Sequence, residues 1–77
     1  MRRIDLRGRK DLFADMAKEI ENMYEGEVVI VIFEIGDFSN VDKSYEFVHE
    51  QGCELLNSLK WNQADWEIVF KKGAKNG

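Results

Sequence analysis

The strongest constraint on the fold is an uninterrupted apolar segment near the middle of the sequence, residues 28–33, which is rich in β-branched side chains. A strand with one solvent-exposed face usually alternates apolar and polar residues, and this segment does not alternate. A strand of this composition is either covered on both sides or has a second face that meets a partner. We therefore predict a central strand over residues 27–35.

Two segments carry apolar residues at helical spacing. Asp11 is expected to cap the first helix, which spans residues 11–24, because its carboxylate can accept backbone N–H bonds that the first turn cannot satisfy internally. Gly26 is expected to end this helix. The predicted apolar stripe consists of Leu12, Phe13, Met16, Ala17, Ile20, Met23 and Tyr24.

A second helix is predicted from Ser39 to about Gln51. Ser39 is followed three residues later by Asp42, a spacing that resembles a capping box. The inner face of this helix is predicted to contain Val41, Tyr45 and Val48.

Three further strands complete the predicted fold. Residues 2–6 form a short first strand, and residues 53–60 and 65–71 form a hairpin with its turn at residues 61–64. Trp66, Ile68 and Phe70 lie on one side of the last strand and are predicted to face the core. The order strand–helix–strand–helix–strand–strand predicts an α+β fold, a two-layer α/β sandwich with a mixed four-stranded sheet and both helices on one face.

Composition and charge bound the class of protein. With 77 residues, of which 44% are hydrophobic and 34% are charged, the protein is expected to form a single globular domain over residues 1–72, followed by a disordered tail at 73–77. No apolar run approaches the ~20 residues of a membrane span. The net charge of −4 speaks against nucleic-acid binding, because neutralising phosphates requires a broad basic face. The single cysteine is consistent with a cytoplasmic protein.

Few residues are candidates for catalysis or metal binding. Cys53 is the single thiol, and its position at the start of the third strand predicts a buried structural cysteine. His49 falls on the solvent face of the second helix. No metal-ligand spacing or nucleophile motif is present, so no metal, cofactor or catalytic residue is predicted. Trp61 at the hairpin tip and Phe38 before the second helix are candidates for exposure, and an exposed Trp61 would be a contact for another protein; partial burial against a neighbouring loop is the open alternative.

The start of the sequence resembles a known family. Residues 4–8 read Ile-Asp-Leu-Arg-Gly and lead into a helix that opens at Asp11. This resembles the TusA/SirA-like family of small sulfur-carrier proteins, in which a strand of the form hydrophobic–Asp–x–Arg–Gly precedes a helix that opens with Cys-Pro-x-Pro. Further similar positions are Gly26-Glu27, Gly52-x-Glu54-Leu55 and Lys71-Lys72-Gly73.

The resemblance implies a member that lacks the Cys-Pro-x-Pro motif. In the family, the cysteine at the start of the first helix carries a persulfide, and the helix dipole stabilises its thiolate. Asp11 occupies that position and cannot carry sulfur, so the resemblance implies a non-catalytic binding or regulatory module tied to sulfur-relay proteins rather than an enzyme. Family partners approach the first helix and the loop before it, which here corresponds to Arg7, Gly8, Arg9, Lys10 and Asp11, with Trp61 as the next candidate surface.

Two alternatives stay open. The protein could be an active sulfur carrier that uses Cys53, or a nucleic-acid-binding module that uses the basic residues near both termini, the latter by fold analogy alone. We expect a protein partner of mixed charge, because Asp11 would oppose a free anion at the helix start. The protein itself is expected to be a monomer or a weak dimer.

Overall fold

The computed structural model describes residues 1–73 and contains the six elements in the predicted order. The strands are β1 (Arg2–Asp5), β2 (Val28–Glu34), β3 (Cys53–Lys60) and β4 (Asp65–Lys72), and the helices are α1 (Leu12–Glu21) and α2 (Ser39–Glu50). The sheet order is β1-β2-β4-β3, with β1 parallel to β2 and β4 antiparallel to both of its neighbours. The predicted two-layer α/β sandwich with a mixed sheet is confirmed. Of the predicted tail, residues 74–77 lie outside the described residues.

The core lies between the two helices and one face of the sheet. On β4, Ile68 and Phe70 are fully buried, which confirms their predicted core positions. Trp66 is half-buried, and its indole N–H donates a hydrogen bond of 2.7 Å to Ser58 Oγ. The other buried residues of this layer include Val29, Val31 and Phe33 on β2, Met16 and Ile20 on α1, and Val41 and Val48 on α2.

The opposite face of the sheet explains why β2 does not alternate. Val28 and Ile30 are half-buried and Ile32 is 1% exposed, although these three residues point away from the helical layer. Ile32 is not part of the core cluster between helices and sheet. The apolar run therefore supplies two apolar faces, and within residues 1–73 neither helix packs over the second one.

Helix α1 ends at Glu21, earlier than predicted, and Tyr24 is 80% exposed rather than part of the apolar stripe. The cause is a turn in which the Tyr24 N–H donates to Glu27 Oε1 and the Glu27 N–H donates to the Tyr24 carbonyl. This turn directs Tyr24 outward, whereas Met23, just before it, stays buried. The assignment of Tyr24 to the apolar stripe was wrong because the helix ends at Glu21, before this residue.

Helix α2 also begins differently from the prediction. Ser39 is the first helical residue, and Asp37 Oδ1 accepts bonds from both the Ser39 N–H (3.0 Å) and the Ser39 hydroxyl (2.6 Å). The predicted capping box of Ser39 and Asp42 is therefore wrong, because the N-cap residue is Phe38, whose side chain makes no capping bond, and Ser39 is already helical. On the inner face, Val41 is buried as predicted, and Tyr45 is half-buried with its hydroxyl 2.7 Å from Ser58 Oγ.

Candidate functional site

Three loops meet at the end of the sheet where β1 and β2 finish and β4 begins. We call residues 6–11, 35–38 and 61–64 the loop end. Backbone and side-chain bonds tie these loops together, since the Gly8 N–H donates to Glu34 Oε1 at 2.7 Å and the Ile35 N–H donates to the Ala64 carbonyl at 2.9 Å. Binding sites in sheets with parallel strands commonly lie at the carboxyl ends of those strands. The predicted segment from Arg7 to Asp11 lies in one of these loops.

Arg7 joins two of the loops. Its guanidinium donates to both carboxylate oxygens of Asp5, at 2.9 and 2.7 Å, and to Asp65 Oδ2 at 3.1 Å. The same group lies over the Trp61 ring, with its carbon 4.8 Å from the ring centroid. Asn62 Nδ2 also donates to Asp65 Oδ2, at 2.9 Å. Arg7 and Trp61, predicted as two separate surfaces, therefore belong to one site.

The Arg7 guanidinium and the Asp5 carboxylate favour each other's ionised forms. The hydrogen bond from the Arg7 side chain, aided by the Arg7 backbone N–H, lowers the pKa of Asp5 to about 2. Hydrogen bonds to Asp5 and then Asp65 raise the pKa of Arg7 above its usual value. Arg7 is therefore a cation held by two carboxylates, one at the surface on Asp5 and one largely buried on Asp65. Trp61, which is 40% exposed, rests against it.

The other predicted residues lie on the same loop but face solvent. Gly8 has a φ of +77°, a left-handed conformation that favours glycine. Arg9 is exposed, and its Nη1 is 3.8 Å from Asp15 Oδ2, an ion pair of the kind that contributes little at a surface. Lys10 is exposed as well. The positive charges that this loop presents to solvent are thus those of Arg9 and Lys10.

Asp11 caps α1 as predicted, because its Oδ1 accepts the Ala14 N–H at 3.0 Å. We expect Asp11→Ala to lower the free energy of unfolding by about 1 kcal/mol, the usual effect of removing an N-cap side chain. Urea denaturation followed by circular dichroism would measure the change, with Asp11→Asn as the control that keeps a capping oxygen. An alanine variant as stable as the wild type would mean that Asp11 does not stabilise the helix and that its role is contact with a partner.

Phe38 is a feature of the loop end that our site prediction did not include. It is 57% exposed, and its φ of 71° places a bulky residue in the left-handed region. Such a conformation costs a non-glycine residue about 1–2 kcal/mol, and strain of this kind concentrates at functional sites. Phe38 could have been included in the predicted site because it is a large aromatic residue in a loop, directly after Gly36 and Asp37.

Relieving this strain should stabilise the protein. We expect Phe38→Gly to raise the free energy of unfolding by about 0.5–1 kcal/mol, because glycine adopts the left-handed conformation without a steric penalty. Phe38→Ala keeps the strain and is the matched control, for which little change is expected. Urea denaturation of both variants tests the expectation, and a glycine variant no more stable than the alanine variant would contradict it.

Two of the basic residues near the termini, Arg2 and Lys72, are engaged within the fold. Arg2 pairs with Glu19 and Glu27, at 3.8 and 3.4 Å. The Lys72 ammonium donates to the carbonyls of Ile20 and Met23, at 2.8 and 3.0 Å, at the C-terminal end of α1. A cation at this end of a helix stabilises the last carbonyls. These contacts leave less positive surface for nucleic acid than the sequence offers.

The remaining candidates for chemistry lie away from the loop end. Cys53 is 7% exposed at the start of β3, at the other end of the sheet, and burial raises the pKa of its thiol. His49 is exposed on α2. Within residues 1–73, no group of three or more His, Cys, Asp or Glu side chains could hold a metal ion, and no helix is long and apolar enough to cross a membrane.

Comparisons with known proteins give a family and a structural relative. A family model described as the E chain of a putative NADH-ubiquinone oxidoreductase matches residues 1–72. The protein is similar to HP1264 from Helicobacter pylori, whose solution structure it matches with a TM-score of 0.64 at 51% identity, covering 96% of this chain and 100% of that one. No curated protein matches it. The matching family is not the TusA/SirA-like family, and the predicted kinship with the sulfur carriers stays a prediction.

Proposed function

The protein belongs to the family of the NADH-ubiquinone oxidoreductase E chain, and from this premise we propose that it is a non-catalytic module that binds another protein of such an assembly through its loop end. Arg7, Gly8, Arg9, Lys10 and Asp11 supply one side of the surface, and Trp61 supplies an aromatic anchor. The partner is a protein of mixed charge, which agrees with Arg9 and Lys10 standing beside the carboxylate of Asp11.

The observation that carries this proposal is the pair formed by Arg7 and Trp61. Tryptophan and arginine are among the residues most enriched in positions that dominate binding energy at protein interfaces. Here the guanidinium is fixed by Asp5 and Asp65, so the indole beside it is held in place before a partner arrives. An anchor that is already ordered loses less conformational entropy on binding, which favours affinity. A half-exposed tryptophan held in this way suits protein binding better than it suits catalysis.

The composition of the protein supports a role without an iron–sulfur cluster of its own. The family's name implies an oxidoreductase assembly, and an iron–sulfur cluster in such an assembly is usually held by four cysteine thiolates. This sequence has one cysteine and one histidine. The residues therefore do not fit a cluster ligated by this protein alone, and binding a neighbouring protein is the role that they support.

A capture experiment tests the proposal. Immobilised wild-type protein is incubated with native lysate of its own organism, and retained proteins are identified by mass spectrometry. We expect a subunit of an NADH–ubiquinone oxidoreductase assembly to be retained, and to be lost with an Arg9→Glu, Lys10→Glu double variant. The matched control is a Lys18→Glu, Lys43→Glu double variant, which makes the same charge change on exposed helix positions. Equal retention by all three proteins would place the docking surface elsewhere.

A module tied to sulfur-relay proteins is a second candidate, favoured by the position of Asp11. Its carboxylate caps α1, and the resemblance to TusA/SirA-like proteins aligns it with the cysteine of the sulfur carriers. Capture of sulfur-relay proteins in the same experiment would favour this function over the first. Incubation with a cysteine desulfurase and labelled cysteine, followed by intact mass, separates it from an active carrier. A gain of one sulfur that is lost in Cys53→Ser would establish Cys53 as a carrier thiol.

A further inference from the structure

The middle loop of the loop end, residues 35–38, follows the strand that lies between β1 and β4 in the sheet. It therefore starts between the other two loops and is bonded to both. On one side, the Gly8 N–H donates to Glu34 Oε1 at 2.7 Å. On the other side, the Ile35 N–H donates to the Ala64 carbonyl at 2.9 Å. Residues that dominate binding energy cluster near the centre of an interface, which is where this loop stands within the loop end.

Phe38 is the last residue of this loop, and its side chain does little for the fold. It is 57% exposed, and it is neither in the buried core of residues 1–73 nor among the partly buried residues that pack against that core. Its backbone, in contrast, is used on both sides. The N–H donates to the Ile35 carbonyl at 3.1 Å, and the carbonyl accepts the N–H groups of Val41 and Asp42 at 3.1 and 3.3 Å. A glycine would make the same backbone bonds.

The conformation of Phe38 is strained and is nevertheless held in place. Its φ of 71° lies in the left-handed region, which is unfavourable for every residue except glycine. Next to it, the Asp37 carboxylate accepts two hydrogen bonds from Ser39, and these bonds lower the pKa of Asp37. Strain that the surroundings impose on a residue is found mainly at functional sites. A bulky exposed ring at a position where glycine would be unstrained indicates a contact outside the chain.

We propose that Phe38 is the central aromatic anchor of the loop end and inserts into an apolar pocket on a folded partner protein. This inference rests on the function proposed above, and it adds Phe38 to Trp61 as a second anchor. A side chain that already projects in a fixed conformation loses little entropy on binding, and a folded partner adds no ordering cost of its own. Arg9 and Lys10 are exposed on the neighbouring loop, so carboxylates beside the pocket complete the partner's surface.

Stability and binding should change in opposite directions in Phe38→Gly. The melting temperature should rise by roughly 2–8 °C, because the backbone strain is relieved. Capture of the oxidoreductase subunit from native lysate should fall at least about tenfold, because the ring is lost. Phe38→Ala should lose capture to the same extent with little change in melting temperature, and Phe38→Tyr, which keeps the ring, should retain most of it. A side chain that served only the fold would not separate the two measurements in this way.

Photo-crosslinking identifies what the side chain contacts. Phe38→p-benzoylphenylalanine, expressed in cells of the protein's own organism, should form a crosslink to the same subunit that the capture experiment retains. Trp61→p-benzoylphenylalanine should form a crosslink to that subunit as well. Tyr24→p-benzoylphenylalanine is the matched control, because Tyr24 is an aromatic residue that is 80% exposed and lies away from the loop end, and it should form none.

The outcomes separate this inference from the function on which it rests. Wild-type capture by Phe38→Gly, together with loss of capture by Trp61→Ala, would reject Phe38 as an anchor and leave the loop end as the docking surface. A crosslink from the Trp61 position and none from the Phe38 position would do the same. A Phe38→Gly variant less stable than Phe38→Ala would show that the ring stabilises the fold, which also overturns the inference. Wild-type capture by both Phe38→Gly and Trp61→Ala would reject the loop end itself.

Discussion

Replacing Phe70 with alanine is expected to lower the free energy of unfolding by about 3–5 kcal/mol, the range found when a buried aromatic side chain is truncated. Phe70 is fully buried on β4, where it pairs with Val29 on one side and Leu55 on the other. The cavity lies at the centre of a small core, and such domains have total stabilities of only about 5–15 kcal/mol. The variant should therefore melt at a much lower temperature or fail to fold at ambient temperature.

Thermal and urea denaturation, followed by circular dichroism, measure this effect. Tyr24→Ala is the matched control, since it removes an aromatic side chain that is 80% exposed. For a substitution at such a surface position, the change should stay within about 0.5 kcal/mol. A Phe70→Ala variant that loses less than about 1 kcal/mol would contradict the placement of Phe70 in the core.

The fold could be predicted from the sequence because local patterns agree with the global arrangement. The apolar run at residues 28–33 identified the central strand, and the alternation around Ile68 and Phe70 identified the face of β4 that packs on the helices. Glycines with positive φ, such as Gly26 and Gly52, mark the turns after α1 and α2. Consistency of this kind between levels is what makes a sequence specify one fold.

The ends of the helices were less predictable, because side chains outside the periodic pattern determine them. Tyr24 continues the helical spacing, but the carboxylate of Glu27 accepts its N–H and forms a turn instead. Before α2, the Asp37 carboxylate accepts the N–H of Ser39, the first helical residue, and Ser39 does not act as the cap. In both places a nearby carboxylate accepts a backbone N–H bond and so influences where the helix begins or ends. The spacing of apolar residues in the sequence does not reveal this bond.

The loop end could be predicted only in its parts. The segment from Arg7 to Asp11 came from a resemblance at the start of the sequence, and Trp61 came from its position in a turn. Their contact depends on β4 lying next to β2, which brings Asp65 within reach of Arg7 across 58 positions of sequence. Pairings at such separation follow from the sheet order, and no local spacing in the sequence encodes them.

Replacing Trp61 with alanine is expected to abolish capture of the partner while leaving the fold intact. Truncating an aromatic anchor at the centre of an interface costs about 2 kcal/mol or more, which is roughly a 30-fold loss of affinity. Trp61 is 40% exposed and lies in the turn before β4, so its removal opens no large cavity in the core. The amount of partner retained from lysate, relative to wild type, is the measurement. Circular dichroism and the melting temperature report on the fold.

Two further variants separate the tryptophan from its support. Arg7→Lys keeps the positive charge but loses the planar group that binds both aspartates and lies over the indole. It should reduce capture less than Trp61→Ala, because the anchor is present but no longer held in place. Tyr24→Ala, an exposed aromatic residue outside the loop end, should retain the partner fully. Full retention by Trp61→Ala would show that the partner does not use this tryptophan, and the loop end would then lose the observation on which its proposed function rests.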